Sequence, residues 1–276
     1  MPNLRVVHDN AADRGTLAAS STAGALAAAN LRTQMKAQVW RATGTSATLT
    51  LTWALPEQIA CVVLPFCNLT STATMRVRGY TLAADVDPAF DTGVRPACPY
   101  SALDLFGWGT QPLGCNAFAF GGGTYAVAWF ENAAVERLVI DIADPDNSTG
   151  YVEASRLVAG PYWSPQKNVD WSPKLTVEDS TTNTRNDAGD LITDRGTRYR
   201  TLAVSLSWLP PADRDQLMAI LRGSGFAQPV FVSLFPESDD PMQEQLYQIW
   251  GKLSDLGALV HNYVANYTGT ITIQEC

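Results

Sequence analysis

The feature that most constrains this chain is a series of short segments in which apolar and polar residues alternate. In "SATLTLTWAL" three apolar side chains, Leu49, Leu51 and Trp53, alternate with threonines, and "ATMRVRGYTL" and "VERLVIDIAD" repeat the pattern. A period of two places alternate side chains on opposite faces of a half-buried strand. Between these segments "QIACVVLPFCNL" is apolar throughout, which is typical of a strand buried on both faces.

The order of these segments predicts the architecture of the first part of the chain. The strands are short and no helical pattern separates them, which favours a β-sandwich. We therefore expect a sandwich over residues 46–160. Residues 1–45 are rich in Ala, Ser, Thr and Gly. We expect them to form an arm or an irregular wrap that leads into the sandwich, with a helix possible from Ala25 to Lys36.

The pattern changes after Gly160-Pro161 and predicts a second domain over residues 161–276. Two alternating strands, in "DWSPKLTVEDST" and "YRTLAVSLSWL", flank a polar stretch that we expect to form a long hairpin arm or loop. The clearest helix signal covers about residues 211–222, where two prolines precede an apolar face of Leu217, Ile220 and Leu221. This domain is predicted to be mostly β, with one packed helix.

The net charge and the cysteines indicate which partners and which cellular compartment to expect. The net charge is −8 and the basic residues are scattered singly, so we expect no nucleic-acid partner. The N-terminus has no apolar signal-peptide core, and no segment is apolar enough to span a bilayer. Five cysteines form no C-x-x-C pair. We expect Cys61 and Cys67 to be reduced, buried thiols of a protein made in a cytoplasm.

A search for catalytic patterns finds none that specifies an enzyme. The chain has two histidines, His8 and His261, and it lacks H-E-x-x-H, G-x-S-x-G and the glycine-rich nucleotide motifs. We therefore expect no catalytic residue, no metal and no cofactor. Paired carboxylates for glycoside hydrolysis leave no sequence trace, so a wall-degrading hydrolase stays as the last of three hypotheses.

One turn, "DIADPDNSTG", gathers oxygen-bearing side chains and has two interpretations. Asp141, Asp144, Asp146 and Asn147 are ligands of the kind that Ca²⁺ uses. The spacing lacks the glycine and glutamate of an EF-hand loop. Asp and Asn also cap their own backbone in turns, and we favour that second interpretation.

Four aromatic residues lie in Pro- and Gly-rich surroundings where side chains can face solvent. They are Trp108, Tyr162, Trp163 and Trp171. Exposed aromatic rings can stack on sugars, and they can equally anchor a protein interface. The sequence does not separate these two roles.

Several longer stretches carry a resemblance to a known group of proteins. In the second half, "SRLVAGPYWSPQKNVDW", "DRGTRYRTLAVSLSWLPPADRDQLMAILRGSGFAQPVFVSLFP" and "YQIWGKLSDL" resemble distal tail and baseplate proteins of long-tailed bacteriophages, with their tail-tube-like domain. In the first half, "VWRATGTSATLTLTW", "CNLTSTATMRVRGY" and "ERLVIDIADPDNSTGYVEASRLVAG" are similar to the discoidin-type, galactose-binding-like jelly roll. The order differs from the common one, in which the tube-like domain comes first.

The resemblance implies a structural protein of the virion tail tip, made in the cytoplasm of a host bacterium. Such a protein would form a ring, a trimer or a hexamer, and would join the tail tube, tape-measure end and baseplate hub proteins to host-recognition parts. Arg185, Asp190 and Arg195 would then belong to an arm that contacts a neighbouring copy.

The same resemblance implies a location for the aromatic residues after Gly160. Tyr162, Trp163 and Trp171 would lie at a joint, between the domains or against a neighbouring copy. The alternative function is that of an adhesin that binds carbohydrate on the host surface through the jelly roll.

Overall fold

The computed structural model describes residues 3–99, 124–255, 257–263 and 266–276, and most of its ordered elements are strands. The first ten strands are β1 Arg5–Val7, β2 Thr16–Ala19, β3 Trp40–Arg41, β4 Ser46–Cys67, β5 Thr74–Tyr80, β6 Phe90–Asp91, β7 Arg95–Pro96, β8 Thr124–Ala143, β9 Glu153–Ala154 and β10 Val158–Gly160. The remaining strands are β11 Lys174–Asp179, β12 Thr182–Arg185, β13 Leu191–Asp194, β14 Arg198–Leu209, β15 Val230–Ser233, β16 Gln248–Asp255, β17 Val260–Tyr263 and β18 Asn266–Glu275. The helices are α1 Pro211–Ser224 and α2 Pro241–Leu246, with short 3₁₀ turns at Ala11–Asp13 and Ala28–Arg32.

The chain divides into two compact units that are not contiguous in sequence. The first unit contains Met1–Ser164 and Val230–Gln248, and the second contains Pro165–Pro229 and Ile249–Cys276. Residues 230–248, which fall inside the predicted second domain, thus group with the first unit. The cause is antiparallel pairing of β15 with β1, in which Val6 faces Val232.

Two long strands form the centre of the first unit. β4 and β8 run antiparallel, with Leu49 opposite Ile140, and β5 pairs with the other edge of β8. The sequence predicts two strands where the structure has the single strand β4. Its register against β8 shifts between Thr52 and Glu57, a stretch that contains Pro56, because proline has no N–H for the ladder and is accommodated at a bulge.

The predicted apolar faces form the core of the first unit. Leu49, Leu51, Leu138 and Ile140 are all fully buried, which confirms the alternation seen in the sequence. Burying one such side chain stabilises a fold by about 1.5–3 kcal/mol. Cys61, Cys67 and Cys98 are also buried with free thiols, as expected for the first two.

Residues near the N-terminus are an integral part of this core. β2 pairs with β4, and the side chains of Leu31 and Trp40 are fully buried. The helix considered possible from Ala25 to Lys36 is only the short 3₁₀ turn Ala28–Arg32. The N-terminal segment therefore wraps onto the sandwich as ordered structure.

β14 lies at the centre of the second unit. It pairs with β11 on one side and β18 on the other, so that Leu202 faces Leu175 and Ile273. β16 and β17 also pair with β18. The polar stretch between β11 and β14 is a hairpin of β12 and β13, and every residue of those two strands is exposed.

The predicted helix is α1, and its boundaries follow from its sequence. Pro211 occupies the first turn, where a missing N–H costs nothing. Leu217, Ile220 and Leu221 are buried, and Gly225 ends the helix with a φ of 50°. Helix α2 is not expected from the sequence. The Asp240 side chain accepts a hydrogen bond from the Met242 amide and caps it.

The predicted mainly β class, a β-sandwich followed by a second β domain with a packed helix, is confirmed, with α2 as an addition. No helix in the described part of the chain is long and apolar enough to cross a bilayer.

Candidate ligand-binding groove

The first unit contains an open groove with a volume of about 460 Å³. Its walls combine aromatic and charged side chains. We call it the Trp129 groove. Its lining residues are Arg5, Phe90, Asp91, Thr92, Arg95, Trp129, Phe130, Glu131, Tyr162 and Glu237.

Backbone pairing brings the principal side chains of the groove together. Val6 and Trp163 exchange two backbone hydrogen bonds of 2.8 Å in an antiparallel bridge. The residues that precede them, Arg5 and Tyr162, therefore lie diagonally across this bridge on one face, within reach of long side chains. Arg5 also pairs with Ser233 at the end of β15, four residues before Glu237. Three distant parts of the chain thus contribute to one wall.

Arg5 lies against two aromatic rings that also contact each other. Its guanidinium carbon lies 4.7 Å from the Trp129 ring centroid and 4.6 Å from that of Tyr162. Its Nη2 donates to Glu237 Oε2 at 2.6 Å. The two rings themselves meet edge to face, with centroids 5.4 Å apart. Each cation–π contact is worth about 0.5–2 kcal/mol, depending on desolvation, so the guanidinium has a fixed position.

A second wall is formed by two phenylalanine rings. Phe90 and Phe130 stack with ring centroids 4.6 Å apart. Gly79 on β5 makes this possible, because a Cβ at that position would overlap the Phe90 ring. Beside them, Arg76 donates to Asp91, and this hydrogen bond lowers the pKa of the Asp91 carboxyl to about 2.

The groove therefore offers apolar surface together with fixed hydrogen-bonding groups. Arginine donors and carboxylate acceptors lie among the rings, the combination that small-molecule sites use for orientation and specificity. Within the ranges that the structure describes, no group of three or more His, Cys, Asp or Glu side chains is placed to hold a metal ion.

Three of the four aromatic residues singled out in the sequence are described by the structure, and they differ in exposure and location. Tyr162 lines the groove. Trp163 is 8% exposed and belongs to the first unit, whereas Trp171 is 98% exposed and belongs to the second. Among the described residues Trp171 packs on almost nothing, and its expected contact with a sugar or with another chain stays a prediction. Trp108 lies outside the described residues.

The predicted arm residues lie in or beside the exposed hairpin. Arg185 closes its turn by donating to the Gly189 carbonyl at 2.7 Å, and the Asp190 amide donates to Asn186 Oδ1 at 2.8 Å. Arg195 follows β13 and is exposed. Their contact with a neighbouring copy stays a prediction.

The acidic turn uses its oxygens internally. Asp144 is fully buried, and its Oδ2 accepts from the Thr70 amide and from Asn147 Nδ2, each at 2.9 Å. Asp141 accepts from Thr48 Oγ1 at 2.8 Å and from Arg78 at 2.6 Å. These bonds go to distant backbone and to side chains, and the local backbone cap that the second interpretation expects is made by Asn147, whose Oδ1 accepts from the Thr149 amide at 3.0 Å.

Sequence reasoning missed Arg5, Trp129 and Glu237. Trp129 lies in "TYAVAWF", which reads as an ordinary core strand. Arg5 and Glu237 are 232 residues apart, and no local pattern links them.

Comparison with known proteins gives likenesses in structure only. No protein-family model matches the sequence, and no curated protein matches it either. Chitosan-binding module 1, derived from a chitosanase/glucanase of Paenibacillus sp. IK-5, is similar over 56% of this chain and 100% of its own, with 13% identity and a TM-score of 0.37. The family 32 carbohydrate-binding module of C. perfringens NanJ, solved with galactose, is similar over 57% of this chain and 99% of its own, with 10% identity and a TM-score of 0.38.

A third similar structure is a fucosidase from Ruminococcus gnavus in complex with fucose. It shares 10% identity with this chain, and the likeness covers 57% of this chain and 27% of the fucosidase, with a TM-score of 0.38. With TM-scores this low, these likenesses assign neither a ligand nor an activity to this chain.

Proposed function

We propose that the first unit binds carbohydrate in the Trp129 groove. One observation carries the proposal: Arg5 is fixed against the rings of Trp129 and Tyr162 and is paired with Glu237. A saccharide has apolar C–H faces and a rim of hydroxyls. Such a ligand suits a groove that presents aromatic surface beside rigid donors and acceptors.

The size and openness of the groove agree with this class of ligand. A volume of about 460 Å³ lies within the usual range for small-molecule sites, roughly 300–1,000 Å³. Since Arg5 and Glu237 are already held in place, binding would cost little side-chain entropy.

A glycan array probed with the full chain tests the proposal. We expect binding to a subset of immobilised glycans that competes with the same glycan free in solution. A flat array, followed by flat titrations at millimolar sugar, would overturn the proposal.

We further propose that this binding is not coupled to hydrolysis. No described side chain of the groove is a nucleophile hydrogen-bonded to a base, and Glu237 is already paired with Arg5. Incubation with bound glycans should release no reducing ends. If the wild type releases reducing ends and the Glu237→Gln variant does not, the protein is a hydrolase.

A second candidate function is assembly with copies of itself, as in the tail-tip ring of a virion that the sequence resemblance implies. It is supported by large apolar side chains exposed on the second unit. Trp171 is 98% exposed, Phe226 58% and Trp208 57%. Exposed aromatic residues of this kind are typical of protein interfaces. Ring closure would need one patch to meet a different patch on the next copy.

The mass of the full chain in solution tests this second function. A ring predicts a trimer or hexamer by light scattering, and the paired change Trp171→Ser and Trp208→Ser should shift it toward monomer. A monomeric mass at every concentration would contradict self-assembly.

A further inference from the structure

A smaller cavity of about 130 Å³ adjoins the Trp129 groove in the first unit. The two spaces share Arg95, Trp129 and Glu237. The smaller one is also lined by Glu244, Gln245 and Gln248, from α2 and the start of β16. A ligand in the groove could therefore place one small group in this cavity.

The cavity is lined by a buried acceptor that has no hydrogen-bond partner among the described residues. Gln248 is 1% exposed, and its Oε1 accepts no hydrogen bond from any described residue. Its orientation is fixed, because the amide nitrogen donates to Glu244 Oε1 at 3.0 Å. An unsatisfied buried carbonyl costs about 1–3 kcal/mol, and in a native site this is a reason to look for a ligand donor.

Glu244 adds a second acceptor. Its Oε1 accepts from Trp129 Nε1 at 3.3 Å as well as from Gln248. Burial raises the pKa of the Glu244 carboxyl, and the charge of Glu237 raises it further. A desolvated carboxylate of this kind gains more from a cationic partner than an exposed one does.

Charge counting indicates the sign of the ligand group. The residues lining the groove and cavity together include two arginines, Arg5 and Arg95, and four acids, Asp91, Glu131, Glu237 and Glu244. Arg5 is already neutralised by Glu237, and the Arg95 Nε donates to the Thr92 carbonyl. Asp91 is neutralised by Arg76, so three arginines stand against four acids. The surplus is one negative charge, which disfavours a carboxylate or phosphate group on the ligand.

We infer that the ligand of the Trp129 groove is a saccharide with a free amino group, which enters the cavity and donates to Gln248 Oε1 and the Glu244 carboxylate. The inference rests on the proposed carbohydrate binding and makes it specific. An ammonium donates up to three hydrogen bonds and accepts none, so it matches the two acceptors, Gln248 Oε1 and the Glu244 carboxylate. Acetylation would remove the charge and two of the donors.

Titration of the full chain with three matched oligosaccharides tests this inference. The probes are short oligomers of glucosamine, N-acetylglucosamine and glucose, at a pH where the free amine is cationic. We expect the glucosamine oligomer to bind about ten-fold or more tightly than the other two, the usual scale for a desolvated charge pair.

Two variants make the result specific to the cavity. Glu244→Gln keeps the shape and an acceptor for Trp129 and Gln248, and it should remove most of the preference for the amine. Glu136→Gln makes the same change on β8, outside the groove and cavity, and should leave the preference intact. Melting curves confirm that both variants fold.

The outcomes separate this inference from the proposed function. Equal affinity for amine, acetylated and neutral oligomers would overturn the amine inference and leave carbohydrate binding standing. A preference for the amine that survives in Glu244→Gln would also overturn it. Failure of every saccharide, on the array and in titration, would overturn the proposed function itself.

Discussion

Arg5 and Tyr162 are 157 positions apart in number, yet the Arg5 guanidinium carbon lies 4.6 Å from the Tyr162 ring centroid. The contact follows from the antiparallel backbone bridge between Val6 and Trp163, which places the two preceding residues diagonally on the same face. This contact holds the Arg5 guanidinium rigidly in the Trp129 groove, and the proposed carbohydrate binding depends on that rigidity.

The first prediction concerns Arg5 itself. Arg5→Lys keeps the charge but loses the planar guanidinium that lies against two rings. We expect lower glycan affinity and a loss of about 1–2 kcal/mol in the free energy of unfolding. Arg198→Lys is the control, since Arg198 pairs with Asp179 at the surface with 76% of its side chain exposed, where an ion pair contributes little. Equal effects in both variants would contradict the packing argument.

The second prediction concerns pH and Glu244. Because burial raises the pKa of this carboxyl, the folded chain binds the proton more tightly than the unfolded chain does. The charged carboxylate therefore destabilises the folded chain. This destabilisation is absent at low pH and grows as the pH rises from the ordinary pKa of a glutamate through the raised one. We expect Glu244→Gln to gain stability relative to the wild type over that window.

Denaturant unfolding from about pH 4 to about pH 8 measures this difference. Glu136→Gln on β8 is the control for the loss of one negative charge elsewhere in the first unit. If the Glu244→Gln variant instead loses stability relative to the wild type as pH rises, the fold stabilises the charged carboxylate and the prediction is wrong.

The third prediction tests the close approach at Gly160. A Cβ there would overlap the carbonyl oxygen of Asp9, so Gly160→Ala should destabilise the first unit by about 1–3 kcal/mol. Gly44→Ala, where an added Cβ meets nothing within 4 Å, should be nearly neutral. Thermal melting of both variants measures the contrast, and a neutral Gly160→Ala would mean that the segment beside β10 can move freely.

The fourth prediction concerns thiol reactivity. Burial raises the pKa of the Cys61 thiol to about 12, so almost no thiolate forms near neutral pH. Cys276 is partly exposed. Peptide mapping after brief alkylation of the native chain should find Cys276 labelled and Cys61 unlabelled. A denatured sample should label both cysteines, and equal labelling of the native chain would show that the core of the first unit opens readily.

Local patterns predicted the elements well where burial alone decides them. Leu49, Leu51, Leu138 and Ile140 were assigned to inward faces and are fully buried, since a period of two reports burial directly. Helix α1 was found because its prolines and apolar face are adjacent in sequence. Helix α2 was missed, because six residues with one cap carry too little periodicity to stand out from a strand.

The candidate site could not be predicted in the same way. Tyr162 was identified from its Pro- and Gly-rich surroundings, but its partners were not. Arg5, Trp129 and Glu237 meet through pairing between strands far apart in the chain, which no local window reveals. The grouping of residues 230–248 with the first unit was missed for the same physical reason.

The most direct test of carbohydrate binding in the groove is a calorimetric titration of the full chain with the strongest ligand from the glycan array. Tyr162→Ala should lower affinity about ten-fold or more, because it removes one ring that holds Arg5. Trp171→Ala, which removes a fully solvated indole from the second unit, should bind like the wild type. Unchanged affinity in Tyr162→Ala, or a loss confined to Trp171→Ala, would contradict the account.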